Sequence, residues 1–261
     1  MTKPASLDDT LALMRDLRKR CDWDAAQTHS SLRPYLVEES LELDDALRLG
    51  DDGLVREELG DLLLQVLFHS VLAEERGAFD FHDVAAALIT KMKARHPHLY
   101  GEGERESWER MKSQKRASLA DGLPASLPPL HRACRLQDRA AGVGFDWPNE
   151  EGPADKVAEE LSEVRELMKS KKVRFSEHGA PVQDEAHAEL EGELGDLLFA
   201  CVNLCRKLGV HSSLALDAAN SKFQRRFEEV ERIAAGRGIR IGDAGLDALD
   251  AIWDEVKKEK Q

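Results

Sequence analysis

The stretch Glu58-Leu59-Gly60-Asp61-Leu62-Leu63 returns unchanged as Glu193-Leu194-Gly195-Asp196-Leu197-Leu198, and its reading decides the fold. Six identical residues in a row direct attention to the flanks. Upstream, Glu38-Glu39-Ser40-Leu41-Glu42 matches Glu159-Glu160-Leu161-Ser162-Glu163, and Asp22-Trp23 matches Asp146-Trp147; downstream, Lys91 and Arg95 match Lys222 and Arg226. The landmarks keep one order. The chain therefore reads as a tandem duplication with unequal loops, a first half over 1–118 and a second over 130–261. The intervening 119–129 concentrates turn formers, Asp121-Gly122-Leu123-Pro124 and Leu127-Pro128-Pro129, and reads as a linker.

Within each half the apolar residues recur at helical spacing. Leu59, Leu62, Leu63, Val66 and Leu67 draw one stripe; Leu190, Leu194, Leu197, Leu198, Cys201 and Cys205 draw the other. Asp80 ahead of Asp83, and His211-Ser212 ahead of Leu214, offer N-cap chemistry, while Gly50, Gly77 and Gly209 stand where helices stop. The expectation is an all-α fold with about four helices per half. Lys171 to Asp184, polar and without a period, reads as a loop, and the segment from His96 to Gly103 as an irregular stretch.

Composition agrees and narrows the function. Of 261 residues, 33% are charged and only 5% aromatic, which suits solvent-bathed helices and excludes a β-sandwich. No apolar run approaches the roughly 20 residues needed to cross a bilayer, and the first residues lack the basic-then-apolar pattern of a secretion signal, so a cytoplasmic protein without membrane association is expected. The four cysteines form no C-x-x-C pair and read as free thiols. The net charge of −13 repels polyanions and speaks against nucleic-acid binding. A phosphate-bearing ligand must be met by a bound cation or by locally clustered Lys and Arg.

Residues three apart on a helix share a face, so Glu39 with Glu42, Glu58 with Asp61, Glu160 with Glu163 and Glu193 with Asp196 are four carboxylate pairs. Leu36, Leu43 and Leu47 set the first pair beside an apolar surface, as Leu59, Leu62 and Leu63 do for the second, so the two pairs can face each other across a helix interface. Two unit charges 5 Å apart at an effective dielectric of 20 repel by about 3 kcal/mol. A cation resolves several such conflicts at once. One Glu-x-x-Glu alone is commonly a solvated helix face; two pairs per half, joined to a helix-weakening Gly-Asp inside an apolar stripe, point to a metal site. Carboxylate oxygens without Cys or His favour Mg²⁺ or Mn²⁺ over zinc, and a di-iron site would want Glu-x-x-His.

These residues resemble the MazG family of nucleoside triphosphate pyrophosphohydrolases, whose Glu-Glu-x-x-Glu followed by Glu-x-x-Asp is present in both halves. The likeness extends to Arg95-His96-Pro97-His98, Gly142-Val143-Gly144-Phe145-Asp146-Trp147 and Lys222-Phe223-x-Arg225-Arg226-Phe227. It departs at Asp22, where the family usually has Pro, and at Glu189, where a Lys is often found. The resemblance implies an all-α homodimer that hydrolyses nucleoside triphosphates, ATP among them, to monophosphate and pyrophosphate. It implies Mg²⁺, with Mn²⁺ as a substitute, on Glu39, Glu42, Glu58 and Asp61 and on Glu160, Glu163, Glu193 and Asp196.

Glu38 and Glu159, one residue before the ligands, are the candidates to orient or deprotonate the attacking water. Lys222 and Arg226, with Lys91 and Arg95 in the first half, are candidate phosphate contacts, and the resemblance makes Trp253 a candidate to stack on a base. Trp23 and Trp147 read as structural, His69 as a packed residue, and His96 and His98 as loop-shaping. No Ser-His-Asp or Cys-His grouping supports covalent catalysis. The competing reading is a non-catalytic nucleotide- or metal-binding regulator.

Overall fold

The computed structural model describes residues 5–101, 116–170 and 185–259, and among them no strand occurs. The chain falls into two compact units, Met1–Arg105 and Glu106–Gln261. In the first, α1 (Leu7–Arg20) opens on a capping box in which Ser6 and Asp9 satisfy each other's backbone N–H, with acids in its first turn and Arg18, Lys19 and Arg20 in its last. A short α2 (Asp22–Ala26) leads to α3 (Arg33–Leu49), which stops at Gly50 in the left-handed conformation, φ 70°. Asp51 caps α4 (Asp52–Glu75), and Asp80 with Asp83 forms the box that starts α5 (Phe81–Ala94). A single turn, α6 (Pro97–Tyr100), follows.

Leu11 and Met14 of α1, Leu32, and Leu67, Phe68, Val71 and Leu72 of α4 make the core of this unit. Arg15 clamps Glu74 with two hydrogen bonds of 3.0 Å, and Arg18 pairs with Glu75, so the ends of α1 and α4 are tied together. The fixed α4 carries Glu58 and Asp61 against α3, its main packing partner.

In the second unit, α7 (Pro129–Gly142), α8 (Glu151–Lys169) and α9 (Glu185–Lys207) are followed by α10 (Ser212–Gly236), a 3-10 turn (Ile241–Asp243) and α11 (Leu246–Glu259). The most extensive packing joins α8 to α9, the two acidic helices. Val230 and Ala234 of α10 bury against Ile252 and Val256 of α11. Buried Arg139 of α7 donates to the carbonyls of Leu119 (2.7 Å) and Asp121 (2.9 Å), so the start of the turn-rich segment lies on α7.

Several local expectations change. Among the described residues the first half has six helices, because α2 and α6, at five and four residues, are too short to draw a periodic stripe, and the second has five with a 3-10 turn; α6 also occupies part of the stretch expected to be irregular, while 102–103 lie outside the described residues. His211 holds the N-cap position of α10 without a side-chain cap bond, and Ser212 is already helical with its hydroxyl buried. Asp80, Gly50, Gly77 and Gly209 act as expected, the glycines all with positive φ. The stripe of α4 is broader than the core it faces: Leu67 is buried, yet Leu59 and Val66 are 50% and 40% exposed, as are Leu36 and Leu47 of α3 at 38% and 59%. The expected loop Lys171 to Asp184 lies outside the described residues.

Candidate metal centre

In each unit three carboxylates from two helices converge. Glu39 and Glu42 of α3 meet Glu58 of α4, and Glu160 and Glu163 of α8 meet Glu193 of α9, each trio offering oxygens all within 4.8 Å of one another. The i, i+3 spacing aligns the first two of each trio on one face; close packing of the paired helices brings in the third. Asp61 and Asp196 stand outside these trios. Asp61 nonetheless acts on Glu39, whose carboxyl is pushed above the usual range by burial, then by the charges of Asp61 and Glu42. Glu58 is pushed up in the same way by partial desolvation and by Glu42 and Asp61. In the second unit desolvation raises Glu163, and a hydrogen bond shared with Glu160 and the charge of Glu193 add to it.

Carboxylates raised by desolvation and by one another are groups that a bound cation would relieve. The donors are all hard oxygens, with no sulfur or imidazole in either trio, and that set suits Mg²⁺ or Mn²⁺.

The two trios differ in one respect that sequence reading missed. Glu160 is buried, 5% exposed, and accepts from Lys156 Nζ at 2.7 Å, while the same ammonium reaches Glu159 at 2.9 Å. The Lys156 ammonium is raised well above its ordinary value by those two bonds. Its signal in the sequence was the four-residue spacing to Glu160, which puts both on one helix face. The corresponding residue of the first unit is Tyr35, whose ring meets Trp23 edge to face with centroids 6.0 Å apart.

The other candidate residues are placed as follows. Glu38 and Glu159 are exposed beside the trios. Lys91 is exposed in the last turn of α5, and Arg95 is that helix's C-cap. Lys222 is exposed and Arg226, one turn on along α10, is half-buried. Trp253 is half-buried on α11, tilted against Phe223 at 5.4 Å between centroids, with Lys257 over its ring and the α10–α11 core beneath. Trp147 lies over Gly152, 44% exposed, and Trp23 is 52% exposed. His69 packs as expected, but on a second histidine, His29.

A family profile described as the MazG nucleotide pyrophosphohydrolase domain matches residues 27–100 and 150–231, one match in each unit and each spanning an acidic trio. The nucleoside triphosphate pyrophosphohydrolase of Escherichia coli K12 is 42% identical over 97% of this chain and 98% of its own length. The Thermotoga maritima protein named nucleoside triphosphate pyrophosphohydrolase/pyrophosphatase MazG is 39% identical over 96% of this chain and 95% of its own. The Bacillus subtilis protein YabN, uncharacterized, is 36% identical over 96% of this chain, which spans 51% of it.

Proposed function

This chain belongs to the MazG nucleotide pyrophosphohydrolase family, and from that membership we propose a Mg²⁺-dependent hydrolase that converts nucleoside triphosphates to nucleoside monophosphate and pyrophosphate. The observation that carries the reading is the convergence of three glutamates from paired helices, made twice, with the carboxyls of Glu39, Glu58 and Glu163 raised by desolvation and then by their acidic neighbours. Glu39, Glu42, Glu58 and Asp61, and Glu160, Glu163, Glu193 and Asp196, are the residues that would hold the ion. Mg²⁺, or Mn²⁺ in its place, supplies positive charge for the triphosphate and lowers the pKa of a water molecule.

The chain's own residues then do three things. Glu159 and Glu38 orient or deprotonate the water for attack on the α-phosphorus, from positions one residue before a ligand. Lys222, Arg226, Lys91 and Arg95 offset charge on the phosphates and the departing pyrophosphate. Lys156 adds a cation inside the second acidic group, free to turn from Glu160 to a phosphate when a metal takes its place. Trp253 offers a π-face that accepts any base, which fits broad base specificity and nucleotide-pool housekeeping.

The working form is a homodimer in the cytoplasm. Leu41, Leu47, Leu59 and Val66 are 61%, 59%, 50% and 40% exposed beside the first trio, and a second copy would cover them. No described helix is long and apolar enough to cross a membrane.

Phosphorus NMR of the full chain with Mg²⁺ and a mixture of triphosphates tests the reaction. Monophosphate and pyrophosphate are expected. Diphosphate with inorganic phosphate, or unchanged triphosphate, overturns it, the latter in favour of a binding regulator.

A further inference from the structure

The two acidic centres have the same carboxylates and differ in one side chain. On α8, Lys156 precedes Glu160 by four residues, so the helix lays the ammonium over the carboxylate. Its Nζ is 2.7 Å from Glu160 Oε1 and 2.9 Å from Glu159. The Glu160 side chain is 6% exposed, while those of Lys156 and Glu159 are 41% and 57% exposed. The ammonium thus bridges a buried acid of the trio and an acid at the surface, and its flexible four-carbon stem lets it move outward along Glu159. Its charge extends to Glu163, where it opposes the rise that desolvation and Glu160 impose.

The first centre is built without this device. Tyr35 stands where Lys156 does, and its ring meets that of Trp23. Among the described residues no Lys or Arg pairs with Glu39, Glu42 or Glu58. The charges that act on Glu58 are all acidic, those of Glu42, Asp61 and Glu57.

A bare divalent ion and its complex with a triphosphate meet these two centres differently. The bare ion is positive, and in the second centre it has to share Glu160 with an ammonium; like charges around one half-buried carboxylate repel strongly. The complex is negative near neutral pH, so the same ammonium attracts it, as a compact point charge suited to phosphate oxygens. In the first centre the bare ion meets acids unopposed by an ion pair.

We infer that Lys156 makes metal loading of the second centre depend on the nucleotide. It takes the metal's part on Glu160 until a phosphate chain arrives with the ion and draws the ammonium over, while the first centre binds the ion by itself. The two halves of the duplication then differ in when they hold metal. The inference rests on the metal-dependent reading of both trios and adds the order in which one of them fills.

Manganese binding to the full chain, followed through the electron paramagnetic resonance of the free ion, tests it, with Glu39→Gln to weaken the first centre and Glu160→Gln the second. Mn²⁺ alone should bind the first centre at least about tenfold more tightly than the second. Added to Glu39→Gln, Lys156→Met should move two affinities in opposite directions. Mn²⁺ alone should bind about tenfold more tightly; the preformed complex of Mn²⁺ with a triphosphate carrying a methylene between the α- and β-phosphorus, read by titration calorimetry, should bind about tenfold more weakly. Lys156→Arg, which keeps the charge, should shift neither by more than about threefold. Circular dichroism verifies folding, and Lys156→Gln stands in should the Met variant not fold. A merely structural role would weaken both affinities. Mn²⁺ alone bound no more tightly by Lys156→Met, or the complex bound as before, overturns the inference and leaves the metal reading standing. Mn²⁺ absent from both centres, alone and as the complex, overturns that reading as well.

Discussion

Lys156 Nζ stands 2.7 Å from Glu160 Oε1, so a side-chain cation sits on the buried member of the second acidic trio. Among the described residues the first trio shows no such ion pair, and Tyr35 takes the corresponding position. This asymmetry makes the two sites chemically distinct although their carboxylates are the same in number and spacing.

Replacing Lys156 by Met should therefore act in two separable ways. Without divalent ions the melting temperature should fall, because buried Glu160 loses its counter-charge; with Mg²⁺ the loss should be recovered. If Lys156 also meets a phosphate, turnover should drop about tenfold or more even when metal is saturating. Parallel melts and pyrophosphate release in both conditions check this, and a melt unchanged without metal would contradict it.

The pH dependence of the metal-free chain follows from the raised carboxyls. Glu39, Glu58 and Glu163 hold protons to higher pH in the folded state than the usual value of 4.5, so the native chain binds more protons than the unfolded one just above that pH. Their contribution to stability is present at lower pH and is lost as pH rises through the raised values. Saturating Mg²⁺ should remove this slope, and metal affinity should weaken on acidification through the same window. Melts from pH 4.5 to 7, with and without Mg²⁺, read both effects; Glu39→Gln should flatten the metal-free slope.

A second pH window belongs to His69, which bonds His29. Their Nδ1 atoms are 2.8 Å apart, and Arg76, which can only donate, lies 3.2 Å from His29 Nε2. His29 must then carry its proton on Nδ1 and donate it to His69, so the network needs both rings neutral. Burial lowers His69 below the ordinary 6.5, and His29 adds to the effect. The stability it contributes is present above that value and is lost as pH falls through the lowered one. His69→Leu should remove a fall of a few degrees in melting temperature between pH 7.5 and 5.5, and NMR of the ring nitrogens should find the proton on Nδ1 of His29.

Gly152→Ala should be felt far more than a single methyl suggests. The new Cβ would lie 2.3 Å from the Trp147 ring, and the chain must shift one or the other, at a cost of about 1–3 kcal/mol. Denaturant unfolding together with tryptophan fluorescence checks this, whereas Gly192→Ala, with open space around it, should be neutral or stabilising.

Much of this was legible in the amino-acid order. The repeated Glu-Leu-Gly-Asp-Leu-Leu locates two equivalent helices, and the three-residue spacing of Glu39 with Glu42 and Glu160 with Glu163 puts each pair on one face, as the structure shows. Helix stops at Gly50 and Gly209 and the Asp80 cap are local chemistry, and local chemistry survives in any context. What depends on tertiary contacts was not legible. The His29–His69 bond joins residues forty apart, the Gln137 bond to Phe199 joins residues 62 apart, and no periodicity reports either. The exposed Leu59 and Leu47 mislead for a related reason, since a pattern records that a face is apolar and not what covers it. Lys156 was overlooked because an i, i+4 Lys–Glu pair is so common on solvated helices.

The central claim, that the glutamate trios hold the ion on which hydrolysis depends, is tested most directly by pyrophosphate release from Glu39→Gln/Glu160→Gln in the full chain. Each substitution keeps size and helix propensity while removing one carboxylate charge from its own trio. With Mg²⁺ and triphosphate, and folding verified, the account expects the double variant to lose at least about a hundredfold in rate. Release at the unaltered rate would contradict it.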